Sequence, residues 1–502
     1  MPTVAPAAPL SHLSRRRRLS IYAFMMMALF MATLDNQIVS TALPTIVAEL
    51  GSIERFGWVS AAYLLAQSAI MPVYGKLGDL FGRKYVMMFA ISLFVVGSLS
   101  CGLAWSMESL IAARVLQGLG GGGIMVSIFS INADLFEPRE RARYQSFSSL
   151  VLMASGSIGP TLGGAMSQYF GWRSIFLVNL PVGILVLSGI FLLLPYVRPN
   201  RQPKIDYAGA ATLALTIGLI VLWADGAQIF GGMFTPVTFG ILALATMSAI
   251  AWVHIERRTL EPIIPLSLFR NRNFPLLLIV ALTSGGIGIG LVNYHALFLQ
   301  MTTGLSPAHA GLFFIALTCG IAVGSLTAGR LIERTGRYKP FLITGTTLSV
   351  LALIGVSQIQ VGTSLWLIGA VLATCGLSIG LAQQSPVIGV QLVAPQGDIG
   401  AATGAVTLCR MAGASLAISI YGAVLSARLV AGAGDVSDIP DPSSLSPEAL
   451  AALPETSRIA VSMLFSDAFT WLYMVAAGLS IIGLTAAILL RPTLMPVSKR
   501  AG

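Results

Sequence analysis

Long apolar runs separated by short polar segments dominate the pattern of hydrophobic and polar positions along the chain. The runs are about 17 to 25 residues long, which is the length of a helix that crosses a lipid bilayer. The pattern therefore predicts an all-α polytopic membrane protein with fourteen transmembrane helices. These predicted spans, numbered 1 to 14, begin near Ile21, Trp58, Tyr85, Ser109, Arg143, Arg173, Ile205, Pro236, Pro275, His309, Pro340, Ser364, Ala402 and Phe465.

The distribution of lysine and arginine tests this count, because the cytoplasmic loops of membrane proteins collect basic residues. If the N-terminus lies inside, the loops that face the cytoplasm hold most of the 30 Lys and Arg residues. The exceptions lie in outward loops (Arg55, Arg173, Arg428 and Arg458) or inside spans (Arg114 and Arg410). We therefore expect a multi-pass protein of the cell membrane with both termini in the cytoplasm.

The composition excludes an ordinary soluble domain, since 55% of the residues are hydrophobic and only 10% are charged. The net charge of +10 indicates contact with anionic lipid headgroups, and we expect no nucleic-acid partner. The cysteines lack the spacing of a metal or redox site, so we expect free thiols and no bound metal at Cys101, Cys319, Cys375 and Cys409.

Span 1, residues 21–43, carries a carboxylate at a depth where ionisable side chains are rare. A helix rises about 1.5 Å per residue, so Asp35 lies about 5 Å from the midpoint of the span, inside a hydrocarbon core about 30 Å thick. An unpaired charge there costs several kcal/mol, so this position indicates a proton or ion site. The alternative is a structural polar group that is hydrogen-bonded to a neighbouring helix. The adjacent polar residues Asn36 and Gln37 are consistent with this alternative.

Span 4 carries a second buried charge, Arg114, whose long side chain can reach the depth of Asp35. We expect the two to interact, directly or through water. Arg114 then favours the ionised form of Asp35 while burial disfavours it, so opening to either side shifts the balance and loads or releases a proton. A permanent structural ion pair is the alternative. The proton is the expected coupling ion, with no other cofactor.

Two loops repeat one another and divide the chain into halves. The segments GKLGDLFGRK, residues 75–84, and GRLIERTGRYK, residues 329–339, align without gaps. In this alignment Gly75, Leu77, Asp79, Gly82 and Arg83 fall on Gly329, Leu331, Glu333, Gly336 and Arg337. The copies lie eight spans apart rather than six, so we infer that two spans were inserted between two six-helix bundles. A central site is expected between the bundles.

The predicted division of the chain follows from this repeat. We expect a cytoplasmic tail at 1–20, an N-terminal six-helix bundle at 21–197, a linker with inserted helices 7 and 8 at 198–272, a C-terminal six-helix bundle at 273–490 and a second cytoplasmic tail at 491–502. An unusually long outward loop, residues 428–464, belongs to the C-terminal bundle.

Small residues and a proline share one face of span 5. They recur at steps of three and four, which places them on the same side of a helix: Gly156, Gly159, Pro160, Gly163 and Gly164. Such a face allows a neighbouring helix to approach closely, and proline favours a kink. We predict that this face meets span 10 across the interface between the halves, at Gly320 and Gly324. Tight packing without a transport role is the alternative.

Five motifs together resemble the major facilitator superfamily, and most closely its fourteen-span drug:proton antiporter branch. Besides the repeated loop, they are LDNQIVSTALPTI in span 1, RVLQGLGGGG in span 4, GSIGPTLGG in span 5 and WRSIFLVNLPVG at the start of span 6. One departure is Leu80, where the family loop usually has a basic residue, so a thinner ion network is expected in this loop.

The resemblance implies a transporter rather than an enzyme, and the span 5 motif is the antiporter signature thought to seal the central cavity and favour export. We therefore expect a proton-coupled exporter of amphipathic, cationic drugs or toxic compounds that works by alternating access as a monomer. The alternatives are an exporter of an anionic or neutral metabolite, an uptake symporter and a passive channel.

Both loop copies are candidate gates, with Gly75, Asp79, Gly82 and Arg83 in the first copy and Glu333 and Arg337 in the second. Asp79 lies at the cytoplasmic end of span 2, near the start of span 13, where a carboxylate can accept backbone N–H groups and latch the halves together. A solvated turn is the alternative.

Four further residues are candidates for substrate contact or gating. Arg410 in span 13 could bind an anionic group, cap backbone carbonyls or reach lipid headgroups. Met31, Trp58 and Tyr63 would suit a pliable apolar pocket, although lipid contact and core packing explain them equally well.

Overall fold

The computed structural model describes residues 9–50, 56–197, 206–224, 235–303, 307–432, 450, 454–493 and 495 of the 502-residue chain. Nearly all of these residues are in α-helices. Inside a bilayer, backbone N–H and C=O groups can be satisfied only within a helix or a closed barrel, which explains why the apolar runs are helical. The prediction of an all-α fold is confirmed. Most of the long outward loop, 433–449 and 451–453, lies outside the described residues.

The N-terminal bundle contains α1 (Arg15–Leu50), α2 (Phe56–Phe81), α3 (Arg83–Gly102), α4 (Met107–Leu135), α5 (Pro138–Phe170), α6 (Ser174–Leu177) and α7 (Asn179–Leu193). Local sequence explains several of the boundaries. Ser106 accepts the backbone N–H of Ser109 and caps α4, and Pro138 begins α5, where the missing N–H of proline costs nothing.

Two helices separate the bundles: α8 (Tyr207–Ala224) and α9 (Pro236–Glu256), which pack against each other. The C-terminal bundle contains α10 (Asn273–Gly288), α11 (Val292–Thr303), α12 (Pro307–Thr335), α13 (Lys339–Ser357), α14 (Leu365–Ala382), α15 (Ser385–Val393), α16 (Ile399–Gly432) and α17 (Glu455–Leu489). The inserted pair contacts both bundles, since α8 packs against α2 and α16.

Ten helices among the described residues are long and apolar enough to cross a membrane by length and composition. Two further apolar helices, α8 and α10, are shorter. When α6 with α7, α10 with α11, and α14 with α15 are each taken as one pass, the helices form fourteen consecutive passes. This arrangement agrees with the predicted two six-helix bundles and two inserted helices.

Glycines let α4 lie between α2 and α3 at very short range. Gly118 and Gly122 face the backbone of α2 at Tyr63 and Gln67, and Gly120 faces the backbone of α3. A Cβ atom at any of these glycines would collide with main-chain atoms. These glycines of the span 4 motif therefore serve helix packing, which in membranes depends on close backbone approach.

Both described chain ends lie on the same face of the bundle. The N–H of Leu10 donates to the carbonyl of Asp134 at the end of α4 (2.9 Å), and Arg139, just beyond, donates to the carbonyl of Met495 (3.4 Å). We call this face the terminal face and the other the opposite face. The glycines of the repeated loops also lie at the terminal face, and both adopt positive φ angles, +90° at Gly82 and +67° at Gly336. The two loop copies therefore share this backbone feature as well as their sequence.

At the opposite face, Glu49 joins the end of α1 to the turn before α6. Its carboxylate accepts hydrogen bonds from Arg173 (2.5 Å) and from the indole N–H of Trp172 (2.7 Å). These donors, first of all Arg173, hold the pKa of Glu49 below its usual range. The contact fixes the start of the sixth pass against the first, where Trp172 is buried.

Candidate functional site

Asp35 and Arg114 form a direct ion pair inside the N-terminal bundle. The Nη1 atom of Arg114 lies 2.5 Å from Oδ2 of Asp35. Asp35 is 1% exposed and Arg114 is fully buried. Neither charge could be carried alone at this depth without a large desolvation cost, so the two side chains stabilise each other.

Two amides complete the surroundings of Asp35. Gln117 of α4 and Asn179 at the start of α7 donate to its Oδ1 atom at 2.8 and 2.7 Å, and both also donate to the hydroxyl of Ser98 in α3. Asp35 therefore accepts three hydrogen bonds, which suits its ionised form. Gln117, Asn179 and Ser98 were not predicted from the sequence.

Arg114 also donates to Oε1 of Gln117 (2.6 Å) and contacts α2. Its Nε atom donates to the carbonyl of Val59 (3.2 Å), and its guanidinium lies over the ring of Tyr63, 4.2 Å from the centroid. Tyr63 is in turn fixed by a hydrogen bond from its hydroxyl to the carbonyl of Ala32 (3.1 Å). The arginine is thus held by a carboxylate, a carbonyl and an aromatic face.

Two of the three residues predicted to suit an apolar pocket are fully buried. Tyr63 and Met31 are buried in the helix packing, the first under Arg114 and the second beside Gly183 of α7. Trp58 is only partly buried, near the start of α2. Core packing, one of the explanations offered by the sequence, describes Tyr63 and Met31 in this structure.

The helix that packs against Gly156 and Gly159 of α5 is not the predicted one. Gly159 lies against Gln37 of α1, whose Cβ is 2.5 Å from where a Cβ on Gly159 would stand, and Gly156 faces the amide of the same glutamine. Gly163 is buried and Gly164 is partly exposed, while the side chain of Pro160 lies outside the described residues. Gly156 and Gly159 of this face therefore pack within the N-terminal bundle.

Gly320 and Gly324, the predicted partners, instead lie against the backbone of α14 at Ala373 and Leu377. Helices α5 and α12 do meet, but nearer the terminal face, where Gly329 contacts α5. The physical reason is that small residues permit a close approach by any helix and do not specify which one.

A matched pair of glycine substitutions tests this packing. Gly159→Ala is expected to lower the unfolding temperature and transport, because the new methyl must displace Gln37 from α1; overpacking of this kind costs about 1–3 kcal/mol. Gly164→Ala is the control, since no atom lies within 4 Å of its added Cβ. Thermal unfolding of both purified variants, followed by intrinsic fluorescence, checks the difference. Equal unfolding temperatures would contradict the described α1–α5 contact.

The gate loop brings the halves together at the terminal face. Gly75 of α2 and Gly400 of α16 are in direct backbone contact, so that a side chain on either glycine would strike the carbonyl of the other. Asp79 accepts the backbone N–H of Ala401 in the first turn of α16 (3.1 Å). A carboxylate at a helix N-terminus is favoured by the helix dipole and by the unpaired N–H groups there.

Arg83 connects this contact to α4. It pairs with Asp79 (3.2 Å) and with Asp134 (2.6 Å), and it also donates to the carbonyl of Ser130. A single arginine thus joins two carboxylates in this loop, in which Leu80 stands where the family usually has a basic residue. Leu80 is buried.

The second loop copy is built differently. Gly336 packs against Arg139, which follows α4, so this loop also touches the N-terminal bundle. Glu333 is partly buried and Arg337 is exposed. Neither belongs to an ion pair among the described residues. The contacts of Asp79 with Ala401 and Arg83 therefore have no counterpart in the described part of the second loop copy.

Further hydrogen bonds between the halves join α5 to the segment around α15. Arg141 donates to Oε1 of Gln391 (3.1 Å), and Gln384 donates to the hydroxyl of Ser149 (2.8 Å). All four side chains are buried. Together with the Gly75 contact, these bonds close the terminal face between the halves.

Arg410 caps a broken helix in the C-terminal bundle. Its Nη2 atom donates to the carbonyl of Gln383 (2.6 Å), in the break between α14 and α15 that precedes Pro386. Arg410 is 4% exposed and makes no ion pair among the residues that the structure describes. Of the roles left open by the sequence, carbonyl capping is the contact observed.

Comparison with known proteins identifies the family. The model of the Major Facilitator Superfamily matches residues 25–418. The chain belongs to this superfamily. Its members are transporters rather than enzymes, which agrees with the resemblance noted in the sequence and with the helical architecture.

Relatives and solved structures agree with this assignment. An uncharacterized MFS-type transporter of Mycobacterium tuberculosis is 34% identical, over 98% of this chain and 72% of its own length. A multidrug transporter protein of Bacillus subtilis is 29% identical, over 82% of this chain and 76% of its own length. The crystal structure of the human organic anion transporter MFSD10 matches with a TM-score of 0.61 at 14% identity, over 92% of this chain and 99% of that chain. This last likeness concerns the fold alone.

Proposed function

We propose that the protein is a proton-coupled secondary active exporter of amphipathic drugs or toxic compounds that works by alternating access. The observation that carries this proposal is the buried group around Asp35, an ionisable residue held by three donors inside a membrane bundle. The relative named as a multidrug transporter supports this proposal. The terminal face, where basic residues collect, is the proposed cytoplasmic side.

The proposed cycle starts from the arrangement described here. The halves touch at the terminal face, and Asp35 is surrounded by donors that suit a carboxylate, as expected after substrate has left to the outside. A proton from outside then neutralises Asp35 and releases Arg114 from its ion pair. The halves rearrange, the proton leaves to the cytoplasm, and the site accepts the next substrate.

Two candidate functions differ in the charge of the substrate. The resemblance to drug:proton antiporters favours amphipathic cations. A specific observation favours the second candidate, an exporter of an anionic or neutral metabolite: Asp35 is already paired with Arg114, while Arg410 has no carboxylate partner among the described residues. Asp35, Arg114 and Arg410 together therefore carry one positive charge in excess.

Transport by reconstituted protein tests both candidates. Proteoliposomes with an imposed pH gradient are supplied with cationic, neutral and anionic fluorescent amphiphiles of similar size. We expect uphill movement of the cationic members, lost when an ionophore collapses the gradient. Movement of anionic members that disappears in Arg410→Gln would favour the second candidate. Transport that ignores the pH gradient for every compound would contradict proton coupling.

A further inference from the structure

The inserted helix pair carries two buried carboxyl groups at the terminal face. Asp206 precedes α8 and is 8% exposed, and Glu256 ends α9 and is 3% exposed. One oxygen of each is satisfied by a backbone donor: Gly209 N–H donates to Oδ1 of Asp206 (2.8 Å), and Ile264 N–H donates to Oε1 of Glu256 (2.6 Å). Both side chains are therefore fixed in place.

The second oxygens of the two carboxyls point into the same space. Neither Oδ2 of Asp206 nor Oε2 of Glu256 has a hydrogen-bond partner among the described residues. Both lie beside the Cα of Gly209, because a Cβ there would collide with Oδ2 of Asp206 and would stand 3.0 Å from Oε2 of Glu256. Only a glycine leaves room for the two oxygens.

Such a pair is satisfied by one proton. Two buried carboxylates that share a site repel each other, and water is excluded from solvating them. A proton on one group turns the pair into an O–H···O⁻ hydrogen bond, which satisfies both free oxygens and removes one buried negative charge.

No described basic residue forms a salt bridge with Asp206 or Glu256. Lys76 of α2 faces this region, and it pairs with Glu261 of the linker after α9 (2.8 Å) and with Asp398 before α16 (4.0 Å). A shared proton therefore removes one buried negative charge that no described ion pair compensates.

We propose that Asp206 and Glu256 form a second proton-binding site, in which one shared proton clamps the inserted pair against the gate helices α2 and α16. As pH rises the proton is lost, and the two carboxylates repel each other. The ends of α8 and α9 then separate and no longer support α2, which weakens the closed terminal face. This site is separate from Asp35, and its existence does not depend on proton-coupled export.

Infrared titration of the full chain in nanodiscs tests the site directly. We expect a C=O stretching band of a protonated carboxyl that disappears as pH is raised. The band is expected to be lost in Glu256→Gln and also in Asp206→Asn. The test therefore does not depend on a single variant. It is expected to persist in Glu140→Gln, which removes a terminal-face acid paired with Arg18, and in Asp35→Asn.

The effect of the shared proton on closure of the terminal face is measured separately. The measured quantity is the distance between two spin labels at the exposed positions Phe81 and Gln396. In the spin-labelled protein without further substitutions, the distance between the labels is expected to increase, and its distribution to broaden, as pH rises. In Glu256→Gln this pH-dependent shift is expected to be reduced at least severalfold, because the amide can donate to Asp206 at every pH.

Two results would overturn the proposal. One is a wild-type infrared spectrum with no band that Glu256→Gln and Asp206→Asn remove. The other is a gate distance that depends on the concentration of Na⁺ or Ca²⁺ at fixed pH, since a metal cation would then occupy the pair. Persistence of the band in Asp35→Asn, with export lost, would separate this site from the proposed transport function.

Discussion

Replacing Asp35 with asparagine is expected to abolish proton-driven export while leaving exchange of substrate across the membrane measurable. Asparagine keeps the size of the side chain and can still accept from Gln117 or Asn179, but it cannot carry a proton or pair with Arg114. Breaking a buried ion pair costs about 3–5 kcal/mol, so we also expect a lower unfolding temperature. Vesicles with an imposed pH gradient measure export, and counterflow of labelled substrate measures exchange.

Two further variants make this result interpretable. Asp467→Asn removes an exposed acid of α17 and is expected to leave proton-driven export unchanged. The double variant Asp35→Asn with Arg114→Gln removes both buried charges, so it is expected to regain part of the lost stability without regaining coupling. Undiminished uphill export in Asp35→Asn would remove Asp35 from the transport cycle and leave the permanent structural ion pair as its role.

Replacing Gly75 with alanine is expected to shift the protein away from the closed terminal face. The added methyl would stand against the main chain of Gly400, 2.7 Å from its carbonyl carbon, and no flexible side chain is available to move away. An overpacking cost of about 1–3 kcal/mol in this state alone corresponds to roughly a 5- to 150-fold change in the balance between closed and open forms. Transport is expected to fall accordingly.

Labelling of a buried cysteine measures this shift. Ser149 is buried and receives a hydrogen bond from Gln384 of the other half, so Ser149→Cys in a chain without its native cysteines should react with an impermeant maleimide only when the terminal face opens. We expect faster labelling in Gly75→Ala than in Gly78→Ala, the control on the same helix, whose added Cβ would have an ordinary contact of 3.5 Å with Arg83. Equal labelling rates would show that the Gly75 contact does not limit opening.

The sequence was sufficient to predict the helical passes and their grouping, for a simple physical reason. The thickness of the bilayer sets the length of each apolar run. The repeated loop, in which Gly82 and Gly336 adopt positive φ angles, marks the two halves. The Asp35 and Arg114 positions could also be predicted, because an ionisable residue at that depth requires a partner.

The neighbours of Asp35 could not be predicted in the same way. Gln117 follows Arg114 by about one helical turn, so its position on the same face of α4 is a signal that the sequence does contain. Asn179 gave only the weak signal of a polar residue at the start of span 6. Amides at helix ends are common, and their sequence position does not tell which buried group they reach.

Two other features depend on tertiary structure alone. The glycine face of α5 identifies a surface for close packing, but Gln37 of α1 could be recognised as its partner only from the arrangement of the helices. Arg410 had three open roles in the sequence. The break between α14 and α15 decided its contact, because it places the carbonyl of Gln383 within reach of the guanidinium.

The most direct test records proton and substrate movement together in proteoliposomes, with a pH indicator inside and a labelled substrate followed across the same membrane. We predict that each substrate movement against its gradient is accompanied by proton movement in the opposite direction, and that this proton movement is lost in Asp35→Asn. Substrate movement without any accompanying proton flux, or the same proton flux in Asp35→Asn, would contradict the assignment of Asp35 as the proton carrier.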